Sequence, residues 1–149
     1  MSAGKRMQPV ADLARQQAET AAHSVADCGL KYTVIRKQLD ELLSYRNDYE
    51  KCFREMSNTG LNAVQIKDYR IFMNRLDEAI EQQHAVLNSA GNRLSASKQV
   101  WIEKQQRVKA IGSVVSRYQQ SERRKQVRRD QNESDEHAQR ILARQDPQV

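Results

Sequence analysis

Ser57-Asn58-Thr59-Gly60-Leu61-Asn62 reads as the point where the chain reverses. Gly60 can take the positive φ that ends a helix. Asn62, with Gln65 three residues on, has the form of a capping box that opens the next helix. On both sides of this stretch the apolar residues keep a helical period. Before it, Ala14, Ala21, Cys28, Ile35, Leu42, Tyr49 and Met56 recur every seven residues. Ala11, Ala18, Val25, Tyr32, Leu39, Arg46 and Phe53 interleave with them, Arg46 being the one charged member. After it, Ile66, Met73, Ile80, Leu87, Leu94, Trp101, Val108 and Val115 keep the same step, with a more polar companion set from Tyr69 to Tyr118. Sustained heptads mean a coiled coil.

If the turn centres near Gly60, the apolar sets of the two halves face one another. Phe53 then meets Ile66, Arg46 meets Met73, Leu39 meets Ile80, Tyr49 meets Tyr69, and small Ala18 lies opposite large Trp101. Gly29 and Gly91 fall side by side, either a thin waist or two tolerated surface glycines. The expected fold is all-α, two long helices in an antiparallel coiled-coil hairpin with the second helix overhanging. Its expected bounds are helix 1 at about 9–56, a turn at 57–62, helix 2 at about 63–130, and a frayed or partly helical tail at 131–149, all in one domain over 1–149.

Composition agrees. The chain has 149 residues, of which 38% are hydrophobic, 30% charged and only 5% aromatic, a weak supply for a compact core of that length. Its two prolines are Pro9 and Pro147, so nothing from Val10 to Asp146 forces a helix to stop, and Pro9 suits a first turn. The start MSAGKRMQPVADLA carries no apolar segment of secretory type, and no run approaches the roughly 20 apolar residues of a membrane span. Cys28 and Cys52 on one helix would stand roughly 36 Å apart, beyond disulfide reach, and the expected home is the cytoplasm, without direct membrane insertion.

Two regions look unfinished. Helix 1 runs out of pattern near Val10, opposite about Lys109, leaving Ile111, Val114, Val115 and Tyr118 facing little of their own chain. From Arg93 to Arg129 eleven basic residues stand against Glu103 and Glu122, most densely at Arg123, Arg124, Lys125, Arg128 and Arg129. The apolar stripe points to a partner protein or another chain, and the basic run favours an acidic partner: nucleic acid, anionic lipid or an acidic protein surface. Nearer the turn, Gln38, Leu42, Tyr45 and Tyr49 step along one helix and Phe72, Leu76, Ala79 and Gln83 along the other. With Leu39, Leu43, Phe53, Ile71 and Met73 they make an apolar band wider than a two-helix seam covers, so some aromatics should be exposed as anchors.

Signatures of chemistry are missing. His23, His84 and His137 each have one acidic neighbour a helical turn away (Asp27, Glu81 and Glu133), too few ligands for a metal site. Neither a phosphate-binding glycine loop nor a nucleophile elbow occurs, and carboxylates alternate with bases, as in Arg36/Asp40 and Glu103/Arg107, like helix-surface ion pairs. The expectation is a non-enzyme without metal or cofactor. Nucleic acid is not expected as a partner either, because the basic run lacks interleaved aromatics and a basic-region dimer.

The segments LDELLSYRNDY and YRIFMNRLDEAIEQQ and the tail ESDEHAQRILARQ, in this order and spacing, resemble the flagellar FliJ family, and the likeness covers nearly the whole chain. The resemblance implies a stalk-like coiled coil of the bacterial flagellar type III export apparatus. Its implied partners are the flagellar export ATPase ring, whose assembly and activity it promotes, the cytoplasmic side of the transmembrane export gate, and export chaperones. It implies a role in flagellum biogenesis and motility, and a place in the cytoplasm, peripheral to the inner membrane at the flagellar base. The family's export-gate patch maps onto Gln38, Leu42, Tyr45, Tyr49, Phe72, Leu76 and Ala79; Gln83 continues the face but departs from the family pattern. Ring insertion would give the Ile111 to Arg129 end its purpose. A virulence secretion stalk, or a generic scaffold or nucleic-acid binder using the basic end, are the alternatives.

Overall fold

The computed structural model describes residues 3–145, and within them two helices: α1, Ala3–Ser57, and α2, Ala63–Gln145. The fold is all-α, two long helices packed against each other. The turn works as its residues suggest. Gly60 has φ +92°, with nothing near the position a Cβ would occupy. The end of α1 is closed by Thr59, whose N–H and hydroxyl both donate to the Met56 carbonyl, at 3.1 and 2.8 Å. The capping box forms in full: Gln65 N–H donates to Asn62 Oδ1 at 2.8 Å, and Asn62 N–H donates to Gln65 Oε1 at 3.1 Å.

Packing groups the chain into two compact units where the sequence suggested one domain: Glu19–Ile102, and Met1–Ala18 with Glu103–Val149, of which 3–18 and 103–145 are described. In Glu19–Ile102 the core is Leu39, Met73, Leu76, Ile80 and Leu87, with Tyr32, Ile35, Leu42, Tyr69 and Phe72 packed around it. The helices run antiparallel near the expected register, with Tyr49 stacked on Tyr69 at 6.1 Å. Side chains lean along the helices, so several contacts fall a turn from the naive opposite. Phe53 stacks on Tyr69 at 3.6 Å, and Arg46 reaches Asp77, one turn past Met73. At the two glycines, a Cβ on Gly29 would meet Leu94 at 4.0 Å, and one on Gly91 would meet Tyr32 at 3.5 Å.

The second unit is thinner. Its buried hydrophobic residues are Ala14, Ala18 and Val115, and Gly4 is buried with them. Here the helix starts earlier than the sequence suggests. α1 begins at Ala3, so Pro9 lies inside it rather than in its first turn. The extra turns let Gly4 N–H donate to Glu122 Oε1 at 3.4 Å, placing a carboxylate at the positive end of the helix. α2 likewise continues through Gln145 where a frayed or partly helical tail was expected, with all side chains from 123 to 145 exposed. Residues 146–149, the end of that expected tail, lie outside the described residues.

Candidate functional site

The band near the turn gathers side chains from both helices of Glu19–Ile102. Tyr45 is 52% exposed and Tyr49 38%, while Leu42, Phe72 and Ala79 are half-buried and Gln38 is exposed. The rings interlock: Tyr49 lies 4.3 Å from Phe72, and Tyr45 meets Phe72 edge-on at 6.1 Å. Such contacts fix the aromatic faces before any partner arrives, which lowers the ordering cost of docking. Gln83 is a spanning residue, its Nε2 donating to the Ile35 carbonyl and to Gln38 Oε1, both at 3.2 Å. A shallow depression of about 530 Å³ opens between Gln38, Glu41, Leu42, Tyr45 and Gln83. Leu76 departs from the expected patch. At 7% exposed it belongs to the core beneath the aromatics, because its step along α2 points it at Leu39's side of the seam.

Sequence reasoning passed over Glu41 and the groove next to the turn. That groove, about 390 Å³, is lined by Tyr49, Cys52, Phe53, Met56, Leu61, Gln65, Asp68 and Tyr69. Met56 was visible as the last heptad residue before the turn; a seam position there has no facing helix turn to cover it. Arg46, the charged break in the heptad, makes an ion pair with Asp77 at 2.6 Å and a longer one with Glu50 at 3.5 Å. The Asp77 hydrogen bond and charge hold its guanidinium still more firmly protonated than usual.

The end carrying the basic run differs from expectation. Val115 is buried at 9% and Ile111 and Val114 are half-buried, so the early start of α1 covers the stripe that the sequence left unpaired. A small recess of about 190 Å³ remains between Gln8, Ala11 and Arg15 on α1 and Val108, Gly112, Val115, Ser116 and Gln119 on α2. What stays open is Tyr118, 41% exposed, and beyond it Arg123, Arg124, Lys125, Arg128 and Arg129, all exposed.

His23, His84 and His137 are all exposed, and among the described residues no three His, Cys, Asp or Glu side chains converge as metal ligands. Among the same residues no helix is long and apolar enough to cross a membrane. Two surfaces stand out: one aromatic and interlocked, one basic and helical.

The family described as "Flagellar FliJ protein" matches residues 3–146. The chain belongs to the flagellar FliJ family. The Flagellar FliJ protein of Escherichia coli (strain K12) is 28% identical over 133 residues, covering 89% of this chain and 90% of that protein. That of Salmonella typhi is 26% identical over 138 residues, covering 93% and 94% respectively. The FliJ match spans every described residue, so both surfaces lie within it.

Proposed function

We propose that the chain works in the flagellar type III export apparatus as a stalk-like coiled coil. Its aromatic face docks on the cytoplasmic side of the transmembrane export gate. Its basic end engages the export ATPase ring and promotes ring assembly and hydrolysis, and the chain also binds export chaperones. Family membership supports the export assignment. The observation that carries the gate contact is the preformed cluster of Tyr45, Tyr49 and Phe72, drawn from both helices and open to solvent on one side. Large aromatics held rigid at a surface are the side chains that supply most docking energy. For the ATPase, the openness of Tyr118 and of the run from Arg123 to Arg129, beyond the covered stripe, supports a contact at that end. An acidic partner surface would be drawn to that run and the contact weakened by salt.

The test is the Tyr45→Ala/Phe72→Ala double variant in cells lacking the native protein. Secretion and swimming should fall severalfold while the purified variant keeps its helicity. Unchanged swimming would sink the gate assignment. In parallel, the purified export ATPase should be accelerated by the full chain and much less by a chain cut after Glu122; equal acceleration would remove the basic run from the ATPase contact.

A further inference from the structure

Among the described residues, the stretch of α2 beyond Glu122 has no helix of its own chain beside it, yet it carries a heptad. Val127, Ser134 and Ile141 recur every seven residues, and Gln131 and Ala138 interleave with them; over the 14 residues from Val127 to Ile141 the face drifts by only about 40°. In a segment otherwise crowded with charge this seam is uncharged up to Arg124 at its near end. Val127 is 54% exposed and Ile141 40%, so both present apolar surface to water. We propose that free copies of this chain pair with one another through this segment, antiparallel, centred between Gln131 and Ser134.

Flanking charge selects the arrangement. The residues beside the seam are Arg123, Arg128, Asp130, Asp135, His137, Leu142 and Arg144. A parallel in-register pair would set Arg123 against Arg128 and Asp130 against Asp135, like against like on both sides. An antiparallel pair centred between Gln131 and Ser134 sets Arg128 of each copy against Asp135 of the other, and Asp130 against His137. Val127 then faces Ala138, and Gln131 faces Ser134. Sliding one heptad either way opposes Arg128 to Arg128, or Asp135 to Asp135. Arg123 against Arg144, and the seam residue Arg124 against Ile141, both at the ends of the pairing, are unfavourable in the chosen register. Neither Arg128 nor Asp135 has an ion pair within its own chain among the described residues, whereas Glu136 and Arg140 hold one another at 4.0 Å and Gln126 donates to Asp130. The seam holds polar Gln131 and Ser134, so the pairing is weak and salt-sensitive and gives way to a stronger partner on the same segment.

Sedimentation equilibrium of the full chain at low salt should show a reversible monomer–dimer system that dissociates as salt is raised. Arg128→Asp alone, or Asp135→Arg alone, turns two attractions into two repulsions and should weaken the dimer by roughly tenfold. The combined Arg128→Asp/Asp135→Arg chain restores opposite charge in the same register and should recover most of that loss. All three variants change exposed side chains, and circular dichroism confirms that they remain folded. A chain that stays monomeric to its solubility limit overturns the proposal. So does a dimer that survives a cut after Glu122, or a double variant no better than the singles. The experiment uses the isolated chain, so its failure leaves the ATPase and export-gate readings untouched.

Discussion

Leu39 and Tyr45 sit less than two turns apart on α1 and face different demands. Leu39 is 3% exposed in the middle of the Met73, Leu76, Ile80 and Leu87 cluster, and the thin seam offers few other large side chains to close around a void. Leu39→Ala should therefore destabilise Glu19–Ile102 by about 3 kcal/mol, read from urea unfolding followed by circular dichroism. Tyr45, half open to solvent, loses two ring contacts on truncation but leaves no cavity. Tyr45→Ala should cost less than about 1 kcal/mol in the same assay. If the two variants melted alike, Tyr45 would be a core residue and the aromatic face would lose its standing as a docking surface. Arg46 shows why the heptad tolerates a charge here. Its stem crosses the seam and its guanidinium ends on Asp77 outside it. Asp77 raises the Arg46 pKa, so the pair's contribution is complete below the ordinary arginine range and is lost only as pH rises above it. Neutral pH leaves it unchanged.

At the scale of elements, both helices and the turn were legible because heptad period and capping chemistry point to the same answer. Gly60, Asn62 and Gln65 do in space what their types and spacing promise. Two features were not legible. Pro9 reads as a helix start, yet α1 begins six residues earlier, because Gly4 finds Glu122 and the added turns cover Val115. A contact between residues 118 apart leaves no local mark in the sequence. Leu76 fits both the seam set and the patch that the family resemblance implies, and its burial in the core places it in the seam. The early start has a consequence for dynamics. Pro9 has no N–H to give the preceding turn, so the segment before it is held by its contacts with α2 more than by its own ladder. Hydrogen exchange should show the amides of residues 4–8 opening well before those of 12–18. Glu122→Ala should accelerate them further, and Pro9→Ala should slow them severalfold. Equal protection on both sides of Pro9 in the native chain would mean the proline does not divide the helix.

Across the whole molecule, side-chain size is distributed unequally between the two compact units. Glu19–Ile102 buries leucine, isoleucine and methionine and adds a stack of five aromatic contacts. The unit containing 3–18 and 103–145 buries alanines, a glycine and one valine. Burial of apolar area contributes about 25 cal/mol per Å², so the second unit holds its fold with less. Its amides should exchange through openings of lower free energy than those of Glu19–Ile102, and it should lose helicity first on heating. Two truncations separate what stabilises this unit from what extends beyond it. Among the described residues, a cut after Glu122 removes only exposed side chains and keeps the Gly4 contact, so the melting of what remains should be unchanged. A cut after Lys109 strips away Ile111, Val114 and Val115, so residues 3–18 should lose their protection while Glu19–Ile102 keeps its own. Differential scanning calorimetry and hydrogen exchange on both chains decide the matter. If the cut after Glu122 also loosened residues 3–18, the exposed end would be supporting the unit rather than standing free for a partner. The two roles would then have to be disentangled before any loss of ATPase stimulation in that truncation could be assigned to the basic run.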